Sequence, residues 1–148
     1  MTVVEIEESS ARSQLCETVL RDLPEWFGIE SATAAYIRDV AELATLGIGD
    51  DAILSLKLHT AFAAEVYVMG VRRSRHGQGL GTALMQAAEE YLRGRDFEYL
   101  QVKTLGPSDP DEGYVRTRAF YEARGFVPLE EIHGLWEDNP CLLMVKRL

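Results

Sequence analysis

A glycine-rich stretch between an apolar run and an amphipathic run constrains this chain more than any other feature. The stretch Gly77–Gly81 follows the apolar segment AEVYVMGV, residues 64–71. That segment predicts a central strand covered on both faces. Residues 80–92 carry apolar side chains at i, i+4, i+7 and i+8, which predicts a helix that ends at Gly94. A strand, a glycine turn and a helix in succession predict an anion site, because the first N–H groups of a helix have no intrahelical acceptor.

Two other glycine-loop chemistries do not fit this stretch. A phosphate-binding P-loop needs a lysine after its last glycine, but Thr82 follows Gly81 directly. A dinucleotide fingerprint counted from Gly77 needs a third glycine where Thr82 stands. What remains is a row of small residues that lets a diphosphate approach the backbone, with a flexible turn as the alternative. Positive charge at the mouth comes from Arg72, Arg73 and Arg75.

Length and composition predict one ordinary globular domain over residues 1–148. Hydrophobic residues make up 47% of the chain and charged residues 26%. The net charge of −9 argues against a nucleic-acid partner, whose binding surface on a protein is basic. No apolar run reaches the length of a membrane span, so we expect no membrane partner. The acidic start lacks the features of a signal peptide, so we expect a cytoplasmic protein.

The cysteines and histidines predict neither a disulfide nor a metal. Cys16 and Cys141 are far apart and have no metal-ligand spacing, so we expect two reduced thiols in or near the core. The three histidines are scattered along the chain, which disfavours a zinc site.

The order of periodic segments predicts β-α-α-β-β-β-α-β-α-β-β and a mixed sheet. Ser9 or Ser10 is expected to cap the first helix, and the second helix is expected at about 31–42. A hairpin with a Gly-Asp-Asp turn at 49–51 follows. The final strand is expected at 141–148, after a connection over 131–140.

The glycine stretch and its strand resemble the signature of the GNAT family of N-acetyltransferases. That signature is Arg/Gln-x-x-Gly-x-Gly/Ala after a strand of the form Leu-x-Val-x-Pro. The matching positions here are Met69, Val71, His76, Gly79 and Gly81. Two positions depart from the pattern, since Arg73 replaces the proline and His76 replaces the arginine or glutamine.

A second segment in register strengthens the resemblance. FYEARGF, residues 120–126, is similar to the family's Leu-Tyr-Glu-x-x-Gly-Phe, although Tyr114 stands where an asparagine often opens that helix. Together the two segments cover roughly residues 64–129. The resemblance implies an acyl-CoA N-acyltransferase-like α/β fold, with a mixed, splayed, mostly antiparallel central sheet flanked by helices.

The resemblance also implies acetyl-CoA as co-substrate, without a metal. The pyrophosphate is expected on the backbone of Gly77, Gln78, Gly79 and Gly81, near Thr82. The pantetheine arm is expected to pair with the backbone of Met69 and Val71. His76 is expected near the phosphates.

Acid–base roles follow from the reaction that the resemblance implies. An ordinary alkyl amine has a pKa near ~10.4, so a base is useful at neutral pH. Tyr121 stands at the family's tyrosine position and is expected to protonate the leaving thiolate. Glu65, at the start of the central strand where several relatives carry a glutamate, is the expected base, and His59 is the weaker alternative.

The amine acceptor is not specified by the sequence. Trp26 and Phe27 are candidates for an apolar wall or, alternatively, for a cap on the core, while Glu25 or Glu30 suits a cation. A polyamine, an aminoglycoside or a peptide amine is compatible with these residues. The predicted function is direct acetyl transfer to a primary amine of a small molecule or peptide. A catalytically silent acyl-CoA sensor and an acidic protein-interaction module are the alternatives, and a homodimer stays open.

Overall fold

A computed structural model describes residues 1–148 and contains seven strands and four α-helices. The strands are β1 Val4–Ile6, β2 Ala44–Ile48, β3 Ala52–Leu58, β4 Ala63–Val71, β5 Tyr99–Leu105, β6 Val127–Ile132 and β7 Cys141–Arg147. The helices are α1 Ser9–Leu20, α2 Glu30–Asp39, α3 Leu80–Arg93 and α4 Glu112–Ala123, with short 3-10 turns at Val40–Glu42 and Arg73–Arg75. This order of elements confirms the predicted one.

The strands form one open mixed sheet in the order β1-β2-β3-β4-β5-β7-β6. β1–β2, β2–β3, β5–β7 and β6–β7 are antiparallel, and β4–β5 is parallel. The parallel register pairs Ala63 with Tyr99 and Glu65 with Gln101. The predicted mixed, mostly antiparallel sheet flanked by helices is therefore confirmed.

The chain divides into two compact units, so the expectation of a single domain over 1–148 stays a prediction. The first unit contains residues 1–57 and 67–91. Its core joins one face of α1 to the sheet, because the apolar side chains of that helix recur at helical spacing. The buried residues of this core are Leu15, Cys16, Val19, Leu20, Leu23, Val40, Ile53 and Val68.

The second unit contains residues 58–66 and 92–148. Its sheet is built on β5, which pairs with β7 over seven residues, Tyr99–Leu105. Leu100, Phe126 and Met144 are among its fully buried side chains. α4 begins at the N-cap residue Asp111, whose carboxylate accepts from the N–H groups of Gly113 and Tyr114.

Two predicted details of the fold are wrong. Ser9 and Ser10 do not cap α1, because they lie inside it and the N-cap residue is Glu8, which makes no side-chain capping bond. The connection before β7 is also shorter than predicted, since Glu131 and Ile132 still pair with β7 as part of β6.

Both cysteines lie in the core. Cys16 and Cys141 are free and fully buried, as predicted. No helix is long and apolar enough to cross a membrane.

Candidate active site

The glycine cradle, residues 77–82, links β4 to α3 and exposes backbone on a sharp turn. Gly77 has φ +76° and Gly79 has φ +83°, values that side chains disfavour. A Cβ atom built on either glycine would have no other atom within 4 Å, so open space faces both. The first helical bond of α3 runs from Ala83 N–H to the Gly79 carbonyl, which leaves the N–H groups before it outside the helical ladder. This geometry suits an anion that approaches the backbone.

His76 turns from the cradle toward the end of β4. Its Nε2 atom lies 2.6 Å from the carbonyl oxygen of Val71, to which it donates a hydrogen bond. The edge of the Trp26 ring is close, with the ring centroids 6.1 Å apart. The structure therefore gives His76 a local role in holding the turn to the strand, and its expected contribution to phosphate binding stays a prediction.

The arginines near the cradle are largely paired with carboxylates. Arg73 pairs with Glu25, and Arg75 pairs with Asp51 while its Nε donates to the Gln78 side chain over 2.9 Å. Arg72 differs, because its buried Nε atom has no hydrogen-bond partner. The positive charge expected at this mouth is thus partly neutralised within the first unit.

One face of β4 remains accessible along the residues expected to bind pantetheine. Tyr67, Met69 and Val71 are half-buried, whereas Val66, Val68 and Gly70, on the opposite face, are buried. The expectation that both faces of this strand are covered is therefore only partly right. The paired register of β4 with β5 covers Ala63–Glu65, so Met69 and Val71 lie beyond it, which is compatible with a strand-like ligand on that backbone edge.

Glu65 is the buried centre of a partly exposed polar cluster in the second unit, which we call the Glu65 network (Glu65, His59, Gln101 and Lys103). The Glu65 side chain is only 8% exposed, and its Oε1 atom lies 2.6 Å from His59 Nε2 and 3.1 Å from Lys103 Nζ. The amide of Gln101 is 3.5 Å from the same oxygen. The two candidate bases of the sequence are thus direct neighbours.

Gln101 and Lys103 were missed by sequence reasoning. Both lie on β5 two residues apart, so they share a face, and the parallel register sets that face beside Glu65. Burial raises the pKa of the Cys141 thiol on β7. The charge of Lys103 lowers this pKa, and the charge of Glu65 raises it. The thiol is therefore neutral near pH 7 and is a poor nucleophile.

Tyr121 is 8% exposed near the end of α4. The helix ends where Gly125 adopts φ +97°, and the N–H of Phe126 then donates to the Tyr121 carbonyl over 3.1 Å. The fully buried Phe126 ring packs edge-on against the Tyr121 ring, with centroids 5.6 Å apart. The Gly-Phe part of the second segment thus fixes the position of this tyrosine.

The residues expected at the acceptor are already engaged in the first unit. Trp26 and Phe27 are partly buried and pack against its hydrophobic core, which agrees with a cap on the core, and their expected role as an acceptor wall stays a prediction. Glu30 accepts two bonds from Arg21, and Glu25 pairs with Arg73.

A polar pair that the sequence did not indicate lies on the half-buried face of β4. The Tyr67 hydroxyl donates to Asp39 over 2.6 Å, and the Tyr36 ring packs against Tyr67. No group of three or more His, Cys, Asp or Glu side chains is placed to hold a metal ion.

A profile of the acetyltransferase (GNAT) family matches residues 4–126, which is most of the chain. The chain belongs to this family. This match confirms the family resemblance predicted from the two sequence segments.

One sequence relative and two solved structures are similar to this chain. A mycothiol acetyltransferase from Beutenbergia cavernae is 37% identical over 84 residues, which is 55% of this chain but only 26% of that protein. An aminoglycoside 6′-N-acetyltransferase complexed with coenzyme A superposes with a TM-score of 0.74 at 16% identity, over 99% of this chain and 97% of that one. The ribosomal-protein-S18-alanine N-acetyltransferase of Escherichia coli gives 0.76 at 16% identity, over 99% and 92%. The structural matches establish the fold.

Proposed function

We propose that this GNAT protein is an acetyl-CoA-dependent N-acetyltransferase that transfers the acetyl group directly to a primary amine of a small molecule or peptide. The observation that carries the proposal is the glycine cradle, with φ +76° at Gly77 and +83° at Gly79 before the 14-residue helix α3. The backbone of Gly77, Gln78, Gly79 and Gly81 would hold the pyrophosphate, with Thr82 beside it. Met69 and Val71 would pair with the pantetheine arm.

The chemistry needs one acid and one base. The amine nitrogen forms a bond to the thioester carbonyl carbon while the carbon–sulfur bond breaks, and the electron pair stays on sulfur. Tyr121 would protonate that thiolate, and the Glu65 network would receive the proton of the amine. Both cysteines are buried, with raised pKa values, which supports direct transfer over a covalent thiol intermediate.

The first test of the proposal is coenzyme A binding, measured by thermal shift. Acetyl-CoA at 100 times its dissociation constant should stabilise the protein by about 2.7 kcal/mol. A protein that shows no shift at millimolar acetyl-CoA contradicts the proposal.

The second test identifies the acceptor. Release of coenzyme A thiol is followed with a panel of kanamycin, spermidine and an alanine-terminated peptide. Turnover with one of these names the acceptor class, whereas a thermal shift without amine-dependent thiol release means a silent acyl-CoA-binding protein. Light scattering of the same sample decides whether the protein is a homodimer.

A further inference from the structure

The contact between His59 and Glu65 determines which imidazole nitrogen is available. Nε2 lies 2.6 Å from Glu65 Oε1, close enough that a hydrogen atom must lie between them. A carboxylate has no hydrogen to donate, and Lys103 Nζ, 3.1 Å from the same oxygen, is a donor that also requires this oxygen to accept. His59 is therefore the donor through Nε2, and in the neutral ring Nδ1 carries the lone pair.

The members of the network differ in solvent exposure and therefore in whether they can exchange a proton with substrate or water. The His59 side chain is 32% exposed, whereas the Glu65 side chain is 8% exposed. Lys103 is 29% exposed but has only donors. His59 thus combines a lone pair with access from outside, and Glu65 holds its other nitrogen in place.

We propose that His59 is the general base of the acetyl transfer and that Glu65 is its positioning residue. The inference rests on the proposed N-acetyltransferase function. As the amine nitrogen bonds to the carbonyl carbon, its proton passes to Nδ1 of His59, directly or through one water. The imidazolium is then stabilised by the Glu65 carboxylate through Nε2–H and returns its proton to solvent, while Tyr121 protonates the thiolate and regains its proton from solvent.

The ordinary acidities of the two residue types favour this assignment. A base works best when its pKa lies near the working pH, and an ordinary histidine titrates near ~6.5 against ~4.3 for a glutamate. Glu65 Oε1 also faces three donors, from His59, Gln101 and Lys103. A base oriented by a buried carboxylate is an arrangement that enzymes use repeatedly.

Three side chains and one backbone contact surround His59. Its backbone N–H donates to the Ala63 carbonyl over 3.0 Å, which fixes the start of β4 relative to the ring. The facing charged groups are Glu65 from β4 and Lys103 from β5, and Cys141 from β7 borders both as a neutral thiol. These are the charged and titratable groups that face the imidazole.

His59→Gln is the decisive variant, because its amide can still donate to Glu65 but has no basic nitrogen. With the best acceptor of the panel, kcat/KM should fall about 10²–10³-fold near pH 7. The defect should shrink as the pH approaches the amine's own pKa, and calorimetry should give an unchanged affinity for coenzyme A. His133→Gln is the matched control, because His133 also pairs with a glutamate, Glu131, but is 67% exposed; it should retain wild-type kcat/KM.

Glu65→Gln separates positioning from direct catalysis. It leaves Nδ1 in place but removes the charge that stabilises the imidazolium, so the acidic limb of the kcat/KM profile should move to lower pH. Its loss at pH 7 should be smaller than that of His59→Gln. The proposal is overturned if His59→Gln keeps the wild-type rate and pH profile while Glu65→Gln loses activity.

A measurement on the resting protein needs no acceptor. In protein labelled with ¹⁵N-histidine, with the His59 signals assigned from their loss in His59→Gln, neutral His59 should carry its proton on Nε2. A proton on Nδ1 instead would refute the inference. If the wild type does not bind coenzyme A, the proposed function is wrong. If the wild type binds and turns over but His59→Gln does so equally well, only the assignment of His59 as the base is wrong.

Discussion

The glycine cradle offers backbone groups on an exposed turn, whereas the Glu65 network surrounds one buried carboxylate with polar side chains. Gly77 and Gly79 are exposed and have open space before them. Glu65 is 6% exposed, and its partners come from the β3–β4 connection and from β5. The first site depends on φ values that glycine permits, and the second depends on compensation of a buried charge. Substitutions at the two sites should therefore affect different properties of the protein.

The largest expected effect is at the cradle. Gly79→Val should abolish detectable coenzyme A binding, because a β-branched residue disfavours φ +83° and its side chain would project into the open space. Calorimetry with coenzyme A is the measurement.

Gly49→Val is the matched control for this loss. Gly49 also has positive φ, +49°, with nothing within 4 Å of a built Cβ atom, but it lies in the β2–β3 turn. Equal loss of binding in the control would mean that strain in the first unit, and not the cradle, is responsible.

Tyr121→Phe should affect the chemical step and spare binding. Removal of the hydroxyl preserves the ring packing on Phe126. We expect kcat to fall roughly ten- to a thousandfold, at or below the range of one acid–base group, with an unchanged affinity for coenzyme A. Tyr99→Phe, at a 44% exposed tyrosine of β5, is the control. Normal turnover in Tyr121→Phe would assign protonation of the thiolate to another donor.

Lys103→Met should lower the stability of the protein, because it leaves the buried Glu65 carboxylate without its cation. Glu65 loses the cation 3.1 Å from Oε1, so we expect the free energy of unfolding to fall by about 1–3 kcal/mol. Urea denaturation provides the measurement. Glu65→Gln combined with Lys103→Met should cost less than the sum of the two single changes, and strict additivity would show that the pair is not coupled.

The smallest effect is expected at the half-exposed Asp39–Tyr67 pair. The Tyr67 hydroxyl bond holds the pKa of Asp39 below its usual value, so Asp39 adds stability above about pH 4, lost as pH falls through the folded-state pKa. Burial, and then Asp39, raises the pKa of Tyr67, so its contribution is present below about pH 10 and lost as pH rises through the folded-state pKa.

Tyr67→Phe should therefore reduce the free energy of unfolding at pH 7 by about 0.5–1.5 kcal/mol. The difference from the wild type should narrow at pH 3, where the Asp39 contribution is lost. A difference that is equal at both pH values, measured by urea denaturation, would mean that the hydroxyl acts independently of the Asp39 charge.

Local patterns explain what the sequence predicted well. The glycine spacing, the apolar period of α3 and the Gly-Asp-Asp turn each depend on neighbours within a few residues. The order of elements and the position of the cradle were predicted correctly for this reason. The Gly125 helix end, with φ +97°, belongs to the same class of signal.

Contacts between distant residues explain what the sequence missed. Lys103 meets Glu65 across 38 residues, and Tyr67 meets Asp39 across 28. These contacts depend on strand register and helix packing, which periodicity does not reveal. The wrong serine cap has a smaller cause, since the extended backbone at Glu8, φ −83° and ψ 130°, puts the helix boundary one residue earlier.

The two buried cysteines allow local opening of each unit to be followed separately. Cys16 lies in the first unit and Cys141 in the second, and neither has any exposed surface. Burial raises the pKa of Cys16 to about 12, so it does not react with a thiol reagent until the surrounding structure opens. In a Cys141→Ser protein, the rate of native-state thiol labelling would report local opening around Cys16, in the unit that carries the cradle. In a Cys16→Ser protein, it would report local opening around Cys141, in the unit that carries the Glu65 network.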